Sequence, residues 1–466
     1  MSISSFLTKK FLKSLFFPAH NRGKALPKEL IKILKRSPGF WDLPELPEIG
    51  SPLSKKGLIA EAQKSLSEKF NTKSCFFGVN GASGLIQSGI IAIANPGECI
   101  LMPRNVHISV VKACALQNII PIFFDIEFSI ETGHYRPITK KWFANVFRNL
   151  DLEKKKIVGV ILVNPYYQGY VSDLEPLIEI CHKNNLPVLV DEAHGSYFLF
   201  CENINLPKSA LRSNAYLVVH SLHKSLNGLT QTAILWHKGN LVEENKLIKS
   251  INLLQTTSPN SLLLASCEES LKDWLNDENL SLYQNRILEA KAIFKELTQR
   301  NIPLIETQDP LKIVINTSKV GIDGFTADRF FYKKGLIAEL PEIMTLTFCL
   351  GFSTQRDFTL LFQKLWEELL IQTKKSSFGL NASKPPFKLI ESPEIPIGVA
   401  WRSNSYSISL KNSIGKISGD IICPYPPGIP LLVPGERIDQ ERIDWIETQS
   451  LYNNDLLNSY VRVLHD

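Results

Sequence analysis

Residues 187–200 read PVLVDEAHGSYFLF, and residues 215–236 read AYLVVHSLHKSLNGLTQTAILW. The first stretch opens on Pro187-Val-Leu-Val190, a short apolar run of the kind a buried strand needs, and it carries Asp191 to that strand's carboxyl end. The second contains a similar run, Ala215 to Val219, which delivers His220-Ser-Leu-His-Lys224. A carboxylate and an amine then share one edge of one sheet, the edge where open α/β folds bind ligands. That pair suits pyridoxal phosphate. The amine bonds the aldehyde carbon, and the carboxylate keeps a proton on the pyridine nitrogen so that the ring accepts electrons. Each residue also occurs alone at strand ends of many α/β proteins, so the rest of the chain has to decide.

Upstream, strands and helices alternate. Strands are expected at Cys75–Val79, Glu98–Met102, Ile119–Phe124, Ile157–Val163 and Pro187–Val190. Helices are expected between them at Ala82–Asn95, Val106–Gln117, Thr139–Leu150 and Asp173–Asn185. This βαβ order predicts an α/β fold with a mostly parallel sheet covered on both faces. Three loops at strand ends stand out. Gly78-Val-Asn-Gly-Ala-Ser-Gly84 leads into a helix and reads either as a phosphate cradle or as a tight turn. Met102-Pro-Arg-Asn-Val-His107 places a histidine that caps the next helix or lies flat on an aromatic cofactor. Asn164-Pro-Tyr-Tyr-Gln-Gly169 is a turn whose side chains reach a ligand or simply close the loop. Gln255-Thr-Thr-Ser-Pro-Asn260 adds a hydroxyl cluster that reads as a helix cap or suits an anion.

Downstream, one helix is expected over Leu271–Leu297, with further helices at Phe325–Lys334 and Asp357–Leu370 and strands at Lys312–Ile315 and Met344–Cys349. The alternation breaks here, which predicts a small α+β domain. A Lys-, Ser- and Pro-rich linker, residues 372–386, precedes a last domain with a proline-stiffened loop at 424–430. The expected division is an N-terminal segment 1–50, a large domain 51–270, a small domain 271–371 and a C-terminal domain 387–466.

The 466-residue chain is 44% hydrophobic and 21% charged, the composition of an ordinary globular protein. Its net charge of +6 is scattered, without a basic stripe, so no nucleic-acid partner is expected. The eight cysteines show no CxxC spacing, so neither a zinc site nor a redox pair is expected, and the cytoplasm is the expected compartment. Near the N-terminus, Phe6, Leu7, Lys10, Phe11, Leu15 and Phe16 predict one helix with an apolar face, for docking or, alternatively, for a membrane surface. No run of apolar residues is long enough to span a bilayer.

Taken together, PAHNRGK, VNGASG, PRNVH, NPYYQG, VDEAHG, SLHKSLNGLTQT, TTSP and PYPPGIPLLVPGE, in this order from residue 18 to residue 436, resemble the lysine/ornithine/arginine decarboxylase family. The resemblance implies an aspartate-aminotransferase-like large domain followed by small and C-terminal α+β domains. It implies pyridoxal 5'-phosphate as cofactor and decarboxylation of a small basic amino acid. Lys224 would hold the cofactor covalently, Asp191 would pair with the ring nitrogen, His107 would stack on the ring and Ala193 would pack its other face. Ala82, Ser83, Ser221 and His223 would hold the phosphate. Ser258 would reach the phosphate of a partner subunit in a homodimer. His194 would handle protons, and Glu436 is the candidate carboxylate for the substrate's distal cation, with a surface position as its alternative. Three features depart from the family pattern: Ala82 where the phosphate loop usually has a hydroxyl residue, Tyr197 where a second histidine often follows DEAHG, and Trp401-Arg-Ser-Asn404 in the last domain. They leave open another pyridoxal reaction, such as transamination or elimination, or a non-catalytic regulatory role.

Overall fold

The structure is a computed structural model that describes all residues except 1, 10, 12, 151–155, 202–203, 354–357, 374–379, 381, 424–428, 451–459 and 466. Its centre is an eight-stranded sheet built from β1 (Ser74–Gly78), β2 (Cys99–Pro103), β3 (Ile120–Phe124), β4 (Ile157–Val163), β5 (Val188–Asp191), β6 (Leu217–Ser221), β7 (Ala233–His237) and β8 (Ile390–Glu391). The spatial order is β8-β3-β2-β4-β5-β6-β7-β1. The five strands from β3 to β6 run parallel, while β7, β1 and β8 pair antiparallel with their neighbours. Asp191 closes β5 opposite Val219 of β6, so the two strands present their carboxyl ends side by side.

The strands form because their apolar runs are buried on both faces, as a helix-covered parallel sheet requires. All residues of β5, β6 and β7 are buried. Helix α1 (Gly81–Ile93) lies against this layer, and Gly89 permits the approach: a Cβ there would stand 2.4 Å from Leu189 Cδ1 of β5. Helix α2 (Ile108–Gln117) follows β2.

The small domain carries a four-stranded antiparallel sheet in the order Leu304–Ile305, Lys312–Asn316, Thr345–Cys349, Leu340–Pro341. The single helix expected over Leu271–Leu297 is two helices, Ser261–Leu275 and Asp277–Gln299. Asn276 takes an extended backbone between them and its side chain accepts from Asn279 N at 3.1 Å, so a cap replaces a turn that the apolar periodicity alone would continue.

The expected N-terminal helix is also shorter. It covers Ile3–Leu7, and Lys13–Ser14 forms a strand parallel to Leu336–Ile337. Leu15 N donates to Ile337 O (3.0 Å) and Cys349 N donates to Leu15 O (2.7 Å). Sheet pairing with the small domain overrides the helical spacing of Phe11, Leu15 and Phe16. In the last domain, Ser405–Ser409 pairs with Tyr460–Leu464 over a core that includes Leu432, Ile443 and Val463. Most of the proline-stiffened loop, 424–428, lies outside the described residues, as do 374–379 and 381 of the linker. Among the described residues, no helix is long and apolar enough to cross a membrane.

Candidate active site

A cavity of about 550 Å³ opens at the carboxyl edge of the large sheet, between it, the small domain and the last domain. That size suits a cofactor with a small substrate. Lys224, Asp191, His194, His107, Ala193, Ala82, Ser83, Ser221 and His223 all line it. Asp191 is delivered by β5, Ser221 by β6, and Lys224 by the one-turn helix Leu222–Ser225 that continues β6.

Burial dominates the electrostatics. It raises the Asp191 carboxyl, against the Lys224 charge and the Ala193 N–H that donates to Oδ1 at 3.1 Å. It lowers the Lys224 amine, against the carboxylates of Asp191 and Glu339. An acid and an amine thus line one cavity, and burial pushes both toward neutrality. His194 Nε2 lies 3.0 Å from Lys224 Nζ, and its Nδ1 is buried without a hydrogen-bond partner among the described residues. Burial and the Lys224 and Lys312 charges hold this imidazole far below its ordinary pKa. Burial, with Lys224, also brings His107 and His223 down to about 4. His107 caps α2, as one of its two sequence readings had it: Nδ1 accepts from Ser109 N at 3.2 Å, and the residue also lines the cavity.

The cradle is the first turn of α1. Gly81 has φ +71°, which a residue with a side chain rarely adopts, and Gly81 N is tied to Gln231 O at 2.8 Å. Ala82 and Ser83 follow, in the turn whose N–H groups have no intrahelical acceptor. Ser221 Oγ and His223 Nδ1, 3.0 Å apart, stand on the same wall. A pyridoxal phosphate fits this donor set. There is an amine to bond the aldehyde, a buried acid for the ring nitrogen, a flat neutral imidazole, and a helix N-terminus with hydroxyls for the phosphate. His194 Nδ1, without a partner among the described residues, is a further donor or acceptor.

Two predicted residues lie elsewhere. Ser258 is exposed on the loop after the helix Glu244–Leu254, where its N–H donates to Thr256 Oγ1 at 3.2 Å. Glu436 does not face the cavity, which corrects the expectation that it meets substrate. Its oxygens accept from Arg104 Nη1 and Nη2 at 2.7 and 2.8 Å, and Oε2 also accepts from Val433 N at 2.9 Å. Its carboxylate is consumed by a buried bidentate ion pair.

Sequence reading missed other lining residues. Glu339 receives the Tyr167 hydroxyl on Oε1 and Phe17 N on Oε2 (2.9 Å). Phe17 and Tyr167 flank the His194 ring at 5.3 and 4.5 Å between centroids. Glu342, His134 and Gln168 form a polar cluster on the small-domain wall. The two tyrosines and Gln168 belong to the NPYYQG loop already singled out. The acids stand in Glu339-Leu-Pro-Glu342, a signal that could have been followed. Of the departures, Tyr197 is buried and its hydroxyl donates to Asp309 Oδ1 at 2.6 Å. Trp401 is 46% exposed, and Arg402 bonds the carbonyls of Gly398 and Leu116.

Comparison with known proteins matches residues 15–320 to the Orn/Lys/Arg decarboxylase major domain and residues 391–456 to the C-terminal domain of that family. The chain is 30% identical over 447 residues to an arginine decarboxylase of Bacillus anthracis, covering 92% of this chain and 88% of that protein. It is 30% identical over 459 residues to an arginine decarboxylase of Bacillus subtilis, covering 92% and 89%. The fold is that of a Francisella novicida lysine decarboxylase, with TM-score 0.74 and 18% identity over 90% of this chain and 73% of that one. A serine palmitoyltransferase of Sphingomonas wittichii shares it more distantly, with TM-score 0.52 and 16% identity over 66% of this chain and 75% of that one. The sheet-edge site and the two matched domains agree: the chain belongs to the Orn/Lys/Arg decarboxylase family of pyridoxal-phosphate-dependent enzymes and decarboxylates a basic amino acid.

Proposed function

We propose that arginine is the preferred substrate. The observation that carries this is the near full-length similarity to arginine decarboxylases. When bound, pyridoxal phosphate supplies a conjugated ring that takes up the electron pair left as the carboxylate departs as carbon dioxide. The chain's own residues do the rest. Lys224 Nζ would hold the cofactor. Asp191 would keep a proton on the ring nitrogen, because a close opposite charge favours the cation. Ala193 and the neutral His107 would pack against the ring. Ala82, Ser83, Ser221 and His223 would bind the phosphate. Lys224 Nζ and His194 Nε2, at 3.0 Å from each other, are the pair that returns a proton to the substrate carbon. Phe17 and Tyr167 keep water from that pair.

The exposed TTSP loop supports a homodimer in which Ser258 reaches the partner's cofactor phosphate. Seven buried free thiols fit a reducing, cytoplasmic compartment.

Carbon dioxide release from arginine, lysine and ornithine, measured side by side, tests the substrate. Arginine should give the highest kcat/KM, by about tenfold or more, a difference of about 1.4 kcal/mol in transition-state binding. Release only from lysine or ornithine would reassign the substrate. Asp191→Asn should keep the visible absorption of the bound cofactor while turnover falls about 10³-fold, or about 4 kcal/mol of barrier. Normal turnover in that variant would remove Asp191 from its role.

A further inference from the structure

We propose that Glu342, braced by Gln168 and His134, is the subsite that takes the distal cation of the substrate and favours a guanidinium. The assignment rests on the substrate being a basic amino acid, and it supplies the carboxylate that Glu436 does not.

Glu342 lines the cavity, and its side chain keeps 19% of its surface accessible although His134 beside it keeps 1%. Its two oxygens are unequally used. Oε2 accepts from Gln168 Nε2 (3.0 Å) and Thr345 Oγ1 (3.2 Å) and lies 3.1 Å from His134 Nε2. Oε1 accepts only from Gln168 Nε2, at 2.9 Å, among the described residues. A carboxylate has about four acceptor positions, two on each oxygen, so Oε1 retains one. Gln168 Nε2 donates to both Glu342 oxygens and so fixes the plane of the carboxylate.

A planar carboxylate matches the forked N–H groups of a guanidinium better than the single point of an ammonium. Burial alone would raise the Glu342 carboxyl. His134, Gln168 and Thr345 outweigh it and hold the group below its ordinary pKa, so it stays ionised. Phe325, Ile343 and Met344, which pack together beside it and line the same cavity, offer an apolar wall for the methylenes of the substrate.

Glu339 is the rival acid. Each of its oxygens accepts one hydrogen bond, from Tyr167 and from Phe17 N, and what sets it apart from Glu342 is that its charge acts on the Lys224 amine. That places Glu339 with the reacting end of the substrate and leaves Glu342 for the far end.

Glu342→Gln in the cofactor-loaded enzyme is the test. KM for arginine should rise about 100-fold, with kcat within about threefold, because a contact to the unreacting end binds ground state and transition state alike. Norvaline, which has no distal cation, should inhibit variant and wild type with the same constant, and the visible absorption should be unchanged. An unchanged KM for arginine would overturn the assignment. So would a parallel loss of norvaline binding, which would mark Glu342 as structural. If Glu342→Gln does not fold, Gln168→Leu probes the same subsite and should raise KM about tenfold, the worth of one hydrogen bond to a charge. Wild-type turnover keeps the two proposals apart. A wild type that prefers lysine refutes the arginine assignment, and the same variant must then raise KM for lysine.

Discussion

Lys224→Ala should eliminate the visible absorption of the purified enzyme and lower decarboxylation at least about 10⁴-fold, or about 5.5 kcal/mol of barrier. Lys224 is the one lysine among the described residues that line the cavity. Its amine also lies 3.0 Å from His194, so on the proposed roles its loss would remove both the covalent anchor and one member of the proton-handling pair. A second buried lysine, close enough for its charge to act on Lys224, is the control. Lys312 does not line the cavity. Its Nζ donates to Cys349 Sγ at 3.1 Å and sits 4.2 Å over the Phe17 ring, so it is already committed. Lys312→Met should therefore retain the visible band. An absorption band that survived in Lys224→Ala and vanished in Lys312→Met would move the cofactor to the other amine.

The cofactor end of this site was legible in the sequence because each of its residues belongs to a local signal. Asp191, Ala193 and His194 follow one apolar run, Ser221, His223 and Lys224 follow another, and Ala82 and Ser83 open a glycine-flanked helix. Strand ends on a parallel sheet converge by geometry, so local signals suffice there. The substrate end was not legible for the same reason. Phe17, His134, Gln168, Glu339 and Glu342 come from four separate segments, and only the packing of the small domain on the sheet edge joins them. Glu436 shows the limit most clearly. Its rigid loop suggested a site-lining acid, yet its partner Arg104 lies 332 residues earlier, on the loop after β2. The same holds for the fold. The βαβ alternation was readable strand by strand, whereas the Lys13–Ser14 strand exists only because Leu336–Ile337 offers it an edge.

That misread pair yields the largest stability effect to be expected. Arg104 is buried to 1% of its side chain, bidentate on Glu436, 3.3 Å from Glu391, and bonded to Leu431 O at 2.7 Å. Its guanidinium lies between the Phe123 and Phe387 rings, 4.4 and 4.5 Å from their centroids. Arg442 pairs with Glu391 at 2.8 Å. Two buried cations thus balance two buried carboxylates, and they tie the last domain, whose Leu431 lines the cavity, to the large sheet. Removing Arg104 leaves Glu391 and Glu436 facing Arg442 alone, which Asp439 also engages. Arg104→Met should therefore cost about 3–5 kcal/mol, the usual result of stranding a buried charge. The double variant Arg104→Met/Glu436→Gln removes one acid together with one base, and should recover most of the loss, to within about 2 kcal/mol of wild type. Urea unfolding midpoints of the three proteins measure both numbers. A double variant no more stable than Arg104→Met would show that the packing of the guanidinium between the two phenyl rings, rather than charge balance, holds the last domain over the site.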